Sequence, residues 1–138
     1  MYITINPGSE IPLFQQIHDQ IVEAVAAGDL VEGQRLDPVR RVAADFGINP
    51  ATVKKAYDLL QSEGIVTTAR RSGSVITVGR TPTRQQQRLA HEELRRTLAR
   101  AVVQGISPEE LQCYVSAQLD QLVAPQSAQD SNAKRTKQ

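Results

Sequence analysis

The chain has 138 residues, 16 lysines and arginines against 15 acidic residues, one cysteine and no tryptophan. This suits one domain of ordinary size, or a small domain with an appendage, and excludes a large multidomain enzyme. No apolar run approaches the roughly 20 residues that span a bilayer, and Met1-Tyr2-Ile3-Thr4-Ile5-Asn6 lacks the basic and apolar regions of a signal peptide, so a cytoplasmic protein without membrane contact is expected. The lone Cys113 rules out an internal disulfide and a cysteine-based zinc site and reads as a packing residue, leaving His18 and His91 as the soft-metal ligands. Neither a metal nor a cofactor is expected.

A short extended arm leads to Pro12-Leu13-Phe14, which opens a helix with Leu13 or Phe14, Ile17, Ile21 and Val22 or Val25 at helical spacing, ended by Gly28. Two glycines and alternating apolar residues over 28–36 predict a turn and a short extended piece. The next helix takes Asp37 as its N-cap and Pro38 at its first position, turns Val39, Val42, Ala43 and Phe46 inward, and stops at Gly47. Asn49 then caps a third helix with Pro50 at its first position and a buried stripe of Val53, Ala56, Tyr57 and Leu60 up to Gly64. Phe46 and Tyr57 fall on these stripes and read as core, not as base-stacking residues.

Ala43, Gly47 and Val53 have the spacing of a helix-turn-helix. A small residue lets one helix cross close over the other, a glycine takes the left-handed conformation that ends the first, and a β-branched residue seals the angle. Such a unit usually binds double-stranded DNA with its second helix in the major groove. Ile65–Thr68 and Ser74–Val78, rich in β-branched residues, flank Ala69-Arg70-Arg71-Ser72-Gly73 and predict a hairpin with a basic tip, the wing of a winged helix-turn-helix.

Gly79-Arg80-Thr81-Pro82-Thr83 reads as a linker. Arg84 to Gln104 follow a helical pattern with Leu94, Leu98, Ala101 and Val102 on one face, stopped by Gly105. Ser107-Pro108-Glu109-Glu110 is a capping box that opens a helix with Leu111, Tyr114 or Val115, Leu119 or Gln118, and Leu122 on its apolar face. Two amphipathic helices of this length cannot bury both faces against each other, so Leu94, Leu98, Ala101, Val102, Leu111, Tyr114, Val115, Leu119 and Leu122 are expected to form a homodimer interface. Any small-molecule effector would have to sit between subunits, bordered by Leu94, Leu98, Tyr114 and Leu122. From Pro125 to Gln138 the chain is polar and predicted to be disordered.

The expected fold is therefore mainly α with a small β-hairpin. An N-terminal winged helix-turn-helix domain occupies residues 1–79, a short two-helix dimerisation region 80–124, and a tail 125–138. Charge follows this division. Residues 1–34 carry Glu10, Asp19, Glu23, Asp29 and Glu32 with no lysine or arginine, giving −5. Residues 35–80 carry Arg35, Arg40, Arg41, Lys54, Lys55, Arg70, Arg71 and Arg80 against Asp37, Asp45, Asp58 and Glu63, giving +4, and residues 81–138 contribute +2. The positive field lies on the helix-turn-helix, as a phosphate-binding surface requires. Thr52, Lys54 and Lys55 lie in the first turns of the second motif helix, whose N-terminus faces the groove, and lysine or arginine there can pair with guanine or phosphate.

Pro12-Leu13-Phe14-Gln15-Gln16-Ile17, Gly33-Gln34-Arg35-Leu36, Val39-Arg40, Ala43, Gly47-Ile48-Asn49-Pro50-Ala51-Thr52-Val53, Ala56-Tyr57, Leu60, Glu63-Gly64 and Ser72-Gly73-Ser74, taken together, resemble the DNA-binding domain of the GntR family of bacterial transcription regulators. The short two-helix C-terminal part is similar to the YtrA subfamily, whose members are dimeric repressors, often of transporter genes. The resemblance implies DNA contacts from Arg40 and from the recognition positions Asn49, Ala51, Thr52 and Lys54. It also implies a wing tip at Arg70 and its neighbours Arg71, Ser72 and Gly73. Two departures stand out. Leu36-Asp37-Pro38 replaces the usual Leu-Pro-Ser, putting a carboxylate near a place where a hydroxyl would hold a phosphate, and Arg71 stands where the wing often has glycine.

No Ser-His-Asp or Cys-His set, no phosphate-cradling glycine loop and no His/Glu cluster at ligand spacing supports an enzyme. The expected function is a sequence-specific transcription regulator that represses from a palindromic operator as a homodimer. The alternative is a winged helix used for protein docking or DNA architecture without operator specificity.

Overall fold

The computed structural model describes residues 3–78 and 81–136, and the side chains of these up to residue 122. Two compact units divide at Gly79 and Arg80. The linker residues 79 and 80 lie outside the described residues, as do 137 and 138 at the end of the tail.

In the first unit, α1 (Leu13–Ala27) begins after Pro12 and ends at Gly28. Ile17, Ile21 and Val25 are buried, with Phe14 and Val22 packed against the core, so the helical stripe resolves on Val25. Gln16 and His18 are also buried, and each is hydrogen-bonded, as a polar group out of water must be. Gln16 and Gln20, one turn apart, hold the N-terminal arm. The Asn6 amide donates to Gln16 Oε1 at 2.9 Å, Gln16 Nε2 donates to the carbonyls of Asn6 and Ile11, and the Thr4 amide donates to Gln20 Oε1 at 2.8 Å. The arm thereby seats Ile3 in the core.

α2 (Val39–Phe46) is preceded by Pro38 as its N-cap, not by Asp37, and no side chain caps it. Pro38 has extended backbone, with ψ 149°, and its carbonyl accepts from the amides of Arg41 and Val42. The carbonyl of Asp37 instead accepts a 2.6 Å hydrogen bond from the Tyr57 hydroxyl. Gly47, at φ 64°, turns the chain in the left-handed region that glycine enters without strain. Val42 and Ala43 are buried as expected, but Phe46 is 37% exposed, because it sits at the last turn of a short helix where the chain leaves the core.

α3 (Pro50–Ser62) is capped by Asn49, whose Oδ1 accepts from the Ala51 amide at 2.9 Å. Val53, Ala56, Tyr57 and Leu60 are all buried, and α3 packs against α1, α2 and the strand that follows. β1 (Val66–Ala69) and β2 (Gly73–Ile76) pair antiparallel with Val66 opposite Ile76 and Ala69 opposite Gly73. Val66 and Ile76 close the core from below. The 33–36 segment joins β2 along its other edge. Gly33 and Leu36 donate to the carbonyls of Ile76 and Ser74, and the Ile76 amide donates to Gln34.

In the second unit, Thr83 and Gln86 form a reciprocal capping box at the start of α4 (Arg84–Val103). The Ser107 hydroxyl accepts from the Glu110 amide at 3.2 Å and opens α5 (Pro108–Thr136). No side chain of α4 is buried, and on α5 Leu111, Val115, Gln118 and Leu122 are half-buried. Cys113 is exposed rather than packed, because it falls off that face. α5 continues past Pro125 to Thr136, where low apolar content predicts a disordered tail. The segment carries the helix-favouring residues Gln126, Ala128, Gln129, Ala133, Lys134 and Arg135 beside serine, aspartate and asparagine.

His18 joins α1 to the end of α3. Its Nδ1 lies 2.8 Å from Asp19 Oδ1, and its Nε2 meets the Glu63 carboxylate. Burial lowers its pKa, but the hydrogen bonds and charges of Asp19 and Glu63 together outweigh burial and raise it above 6.5. A raised folded-state value means that the stabilisation is fully present below pH 6.5 and is lost as pH rises through the folded-state value. The unfolding free energy of wild type relative to His18→Gln, measured by urea titration, should therefore shrink as pH rises above 6.5. A difference that does not change with pH above 6.5 would show that the imidazolium is not the stabilising form.

Candidate nucleic-acid interface

The turn between α2 and α3 brings the second residue of α2 beside the first turns of α3. Arg40 is exposed there and, with Val39, Pro50, Ala51 and Lys54, lines an open groove of about 500 Å³. The opposite wall comes from the hairpin, through Thr68 and Ser74, which face each other in register, with their hydroxyls 3.3 Å apart. Tyr57 closes the floor. Burial, aided by the charge of Asp37, pushes its phenol well above the ordinary value, so it remains a donor to the Asp37 carbonyl.

The residues singled out in the sequence separate into groups. Arg40, Ala51 and Lys54 share the groove. Asn49 is exposed at the N-terminus of α3, its Oδ1 committed to the cap, and Thr52 is half-buried one turn on. Arg70, Arg71 and Ser72 are exposed at the hairpin tip, and Gly73, at φ 67°, makes the tight return into β2. Lys55 is exposed but does not line the groove. Its ammonium lies 4.1 Å above the Phe14 ring, toward α1, because adjacent helical residues point about 100° apart. Asp58, Gln61, Thr68 and Ser74 were not expected as DNA contacts from the sequence, although all four line the groove. The signal for Asp58 was its i, i+4 spacing from Lys54, which predicts the observed 2.7 Å ion pair.

The second unit carries an apolar surface. Leu98, Val102, Leu111 and Val115 line an open depression of about 600 Å³ within the single chain. Leu94, Val102, Tyr114 and Leu119 are exposed, Tyr114 by 63%, while Ala101 and Leu122 are half-buried.

A buried-face recognition helix, a glycine-closed turn and a basic-tipped hairpin flanking one groove define a winged helix-turn-helix DNA-binding protein. The gntR family of bacterial regulatory proteins matches residues 13–76. The transcriptional repressor YtrA of Bacillus subtilis is 32% identical over 115 residues, covering 82% of this chain and 88% of that protein. The regulator SmoD of Agrobacterium fabrum is 38% identical over 71 residues, which make up 51% of this chain and only 30% of that protein. Among solved structures, a transcriptional antiterminator from Listeria monocytogenes superposes with a TM-score of 0.77 at 28% identity, covering 86% of this chain and 90% of that one. YtrA from Sulfolobus acidocaldarius, a GntR-family transcription factor, does so with a TM-score of 0.58 at 32% identity, covering 70% and 97%. The chain belongs to the GntR family, within it to the YtrA subfamily, and is a DNA-binding transcription regulator.

Among the described residues, no helix is long and apolar enough to cross a membrane. Asn49→Ala should lower stability by about 1 kcal/mol, as read by chemical denaturation, because the Ala51 amide loses its cap. An unchanged midpoint would show that water replaces the cap without cost.

Proposed function

We propose that the protein is a cytoplasmic repressor, acting by binding and not by catalysis, which occupies a palindromic operator as a homodimer. The observation that carries this reading is the groove in which Arg40, Ala51 and Lys54 meet the hairpin. Lys54 reads a base edge from α3 in the major groove, and Arg40 holds the adjacent phosphate or base. Asn49, Ala51 and Thr52 set the approach of the α3 N-terminus, whose amides and dipole favour phosphate. Arg70, Arg71, Ser72 and Gly73 lie along the neighbouring backbone. Lys55, held over Phe14, adds to the local field and makes no base contact.

The homodimer forms through Leu94, Leu98, Ala101, Val102, Leu111, Tyr114, Val115, Leu119 and Leu122. A second copy would cover the apolar residues that the two helices leave exposed. A small-molecule effector would seat between the subunits and would have to bind DNA-competent and incompetent dimers with different affinity, since otherwise it shifts nothing.

Gel-shift titration against random DNA and against the protein's own upstream region, at two salt concentrations, tests the function. A specific regulator prefers its site by at least about a thousandfold, and equal affinity for both would leave an architectural DNA-binding module. Arg40→Ala and Lys54→Ala should each weaken operator binding by about 1–3 kcal/mol where a base contact is lost, or flatten the salt dependence by about one unit of slope where a phosphate contact is lost. Unchanged affinity and slope in both variants would remove the assigned surface. Sedimentation at micromolar concentration should give a dimer for wild type and a monomer for Leu94→Glu/Leu119→Glu, both positions being exposed in the single chain. A monomeric wild type would remove the dimer.

A further inference from the structure

Lys54 and Asp58 stand one turn apart on α3, with Nζ 2.7 Å from Oδ2 and side chains 67% and 58% exposed. An exposed i, i+4 pair adds little to stability. Its position has more weight, because Asp58 lines the same groove as Arg40, Ala51, Thr68 and Ser74. A carboxylate on a surface that meets a polyanion opposes binding at every register along a duplex. Lys54 alone would neutralise whichever phosphate came within reach. Paired with Asp58, its charge is offset in part and its ammonium is drawn toward the carboxylate.

We propose that Asp58 is a specificity-determining residue of the DNA interface, holding the Lys54 ammonium off the phosphates and presenting it to a base edge. The proposal rests on the assignment of Lys54 to that interface. An ammonium has three hydrogens. One goes to Asp58, and the others remain for an acceptor edge such as guanine O6 and N7. Where the base pair in that register lacks guanine's paired O6 and N7 acceptors, Lys54 gains less from the base edge, and Asp58 competes with phosphate for its ammonium and repels the backbone. Discrimination therefore comes from a penalty on wrong sequences as well as from a contact with the right one.

The test uses the full chain as wild type, Asp58→Asn, Asp58→Glu, Lys54→Ala and the Lys54→Ala/Asp58→Asn double variant. Each is titrated over a range of NaCl concentrations against a random-sequence duplex and a duplex selected by wild type from a random pool. Asp58→Asn should bind the random duplex more tightly, with a salt slope steeper by about one unit. Its preference for the selected duplex should fall at least about fivefold. Asp58→Glu should keep the wild-type slope and preference, and in the Lys54→Ala background Asp58→Asn should no longer steepen the slope. Asp58→Asn tightening both duplexes by the same factor, or leaving the slope unchanged while Lys54→Ala flattens it, overturns the proposal. Lys54→Ala without effect on either duplex overturns the interface assignment and this proposal with it.

Discussion

The first unit depends on burying one side of α3 completely while leaving the other side bare. Val53, Ala56, Tyr57 and Leu60 are out of water, and α1, α2 and β1 supply the surfaces that cover them. Ala56 is small, so neighbouring helices approach closely. The opposite side, with Ala51, Lys54 and Asp58, is exposed and lines the groove that the hairpin walls through Thr68 and Ser74. Every other element follows from this asymmetry. α1 is the base plate, α2 braces the N-terminus of α3, and the hairpin meets the end of α3 through Val66.

Much of this arrangement was legible in the residues, because helix period, caps and glycines act locally. The stripes of α1 and α3, the Asn49 cap and the Gly28 and Gly47 stops depend on neighbours within a few positions. What escaped was decided across the chain. Asp37 is an ordinary N-cap residue by type, but the Tyr57 hydroxyl, twenty positions away, fixes its carbonyl and the helix begins one residue later than expected. Lys55 is basic and near the motif start, yet it turns toward Phe14 from another helix. Gln16, Gln20 and His18 look like surface residues in isolation and become structural only when the arm and Glu63 arrive beside them. Asp58 was weighed only as charge, because its place opposite Thr68 and Ser74 exists only after the hairpin folds back.

The second unit contrasts with the first in what holds it together. Its helices are started by well-formed local caps, Thr83 with Gln86 and Ser107 with Glu110. Among its described side chains none is fully buried, although Leu98, Ala101, Leu111, Val115 and Leu122 are half-buried. Local signals fix where these helices begin, while tertiary packing of apolar faces supplies most helix stability.

The carboxylate of Glu32 accepts a hydrogen bond from the amide of Val78. This pins the chain at the point where it leaves the wing. The next residue, Gly33, donates its amide to the Ile76 carbonyl, so the segment before α2 fastens the outgoing strand by a side chain as well as by its backbone.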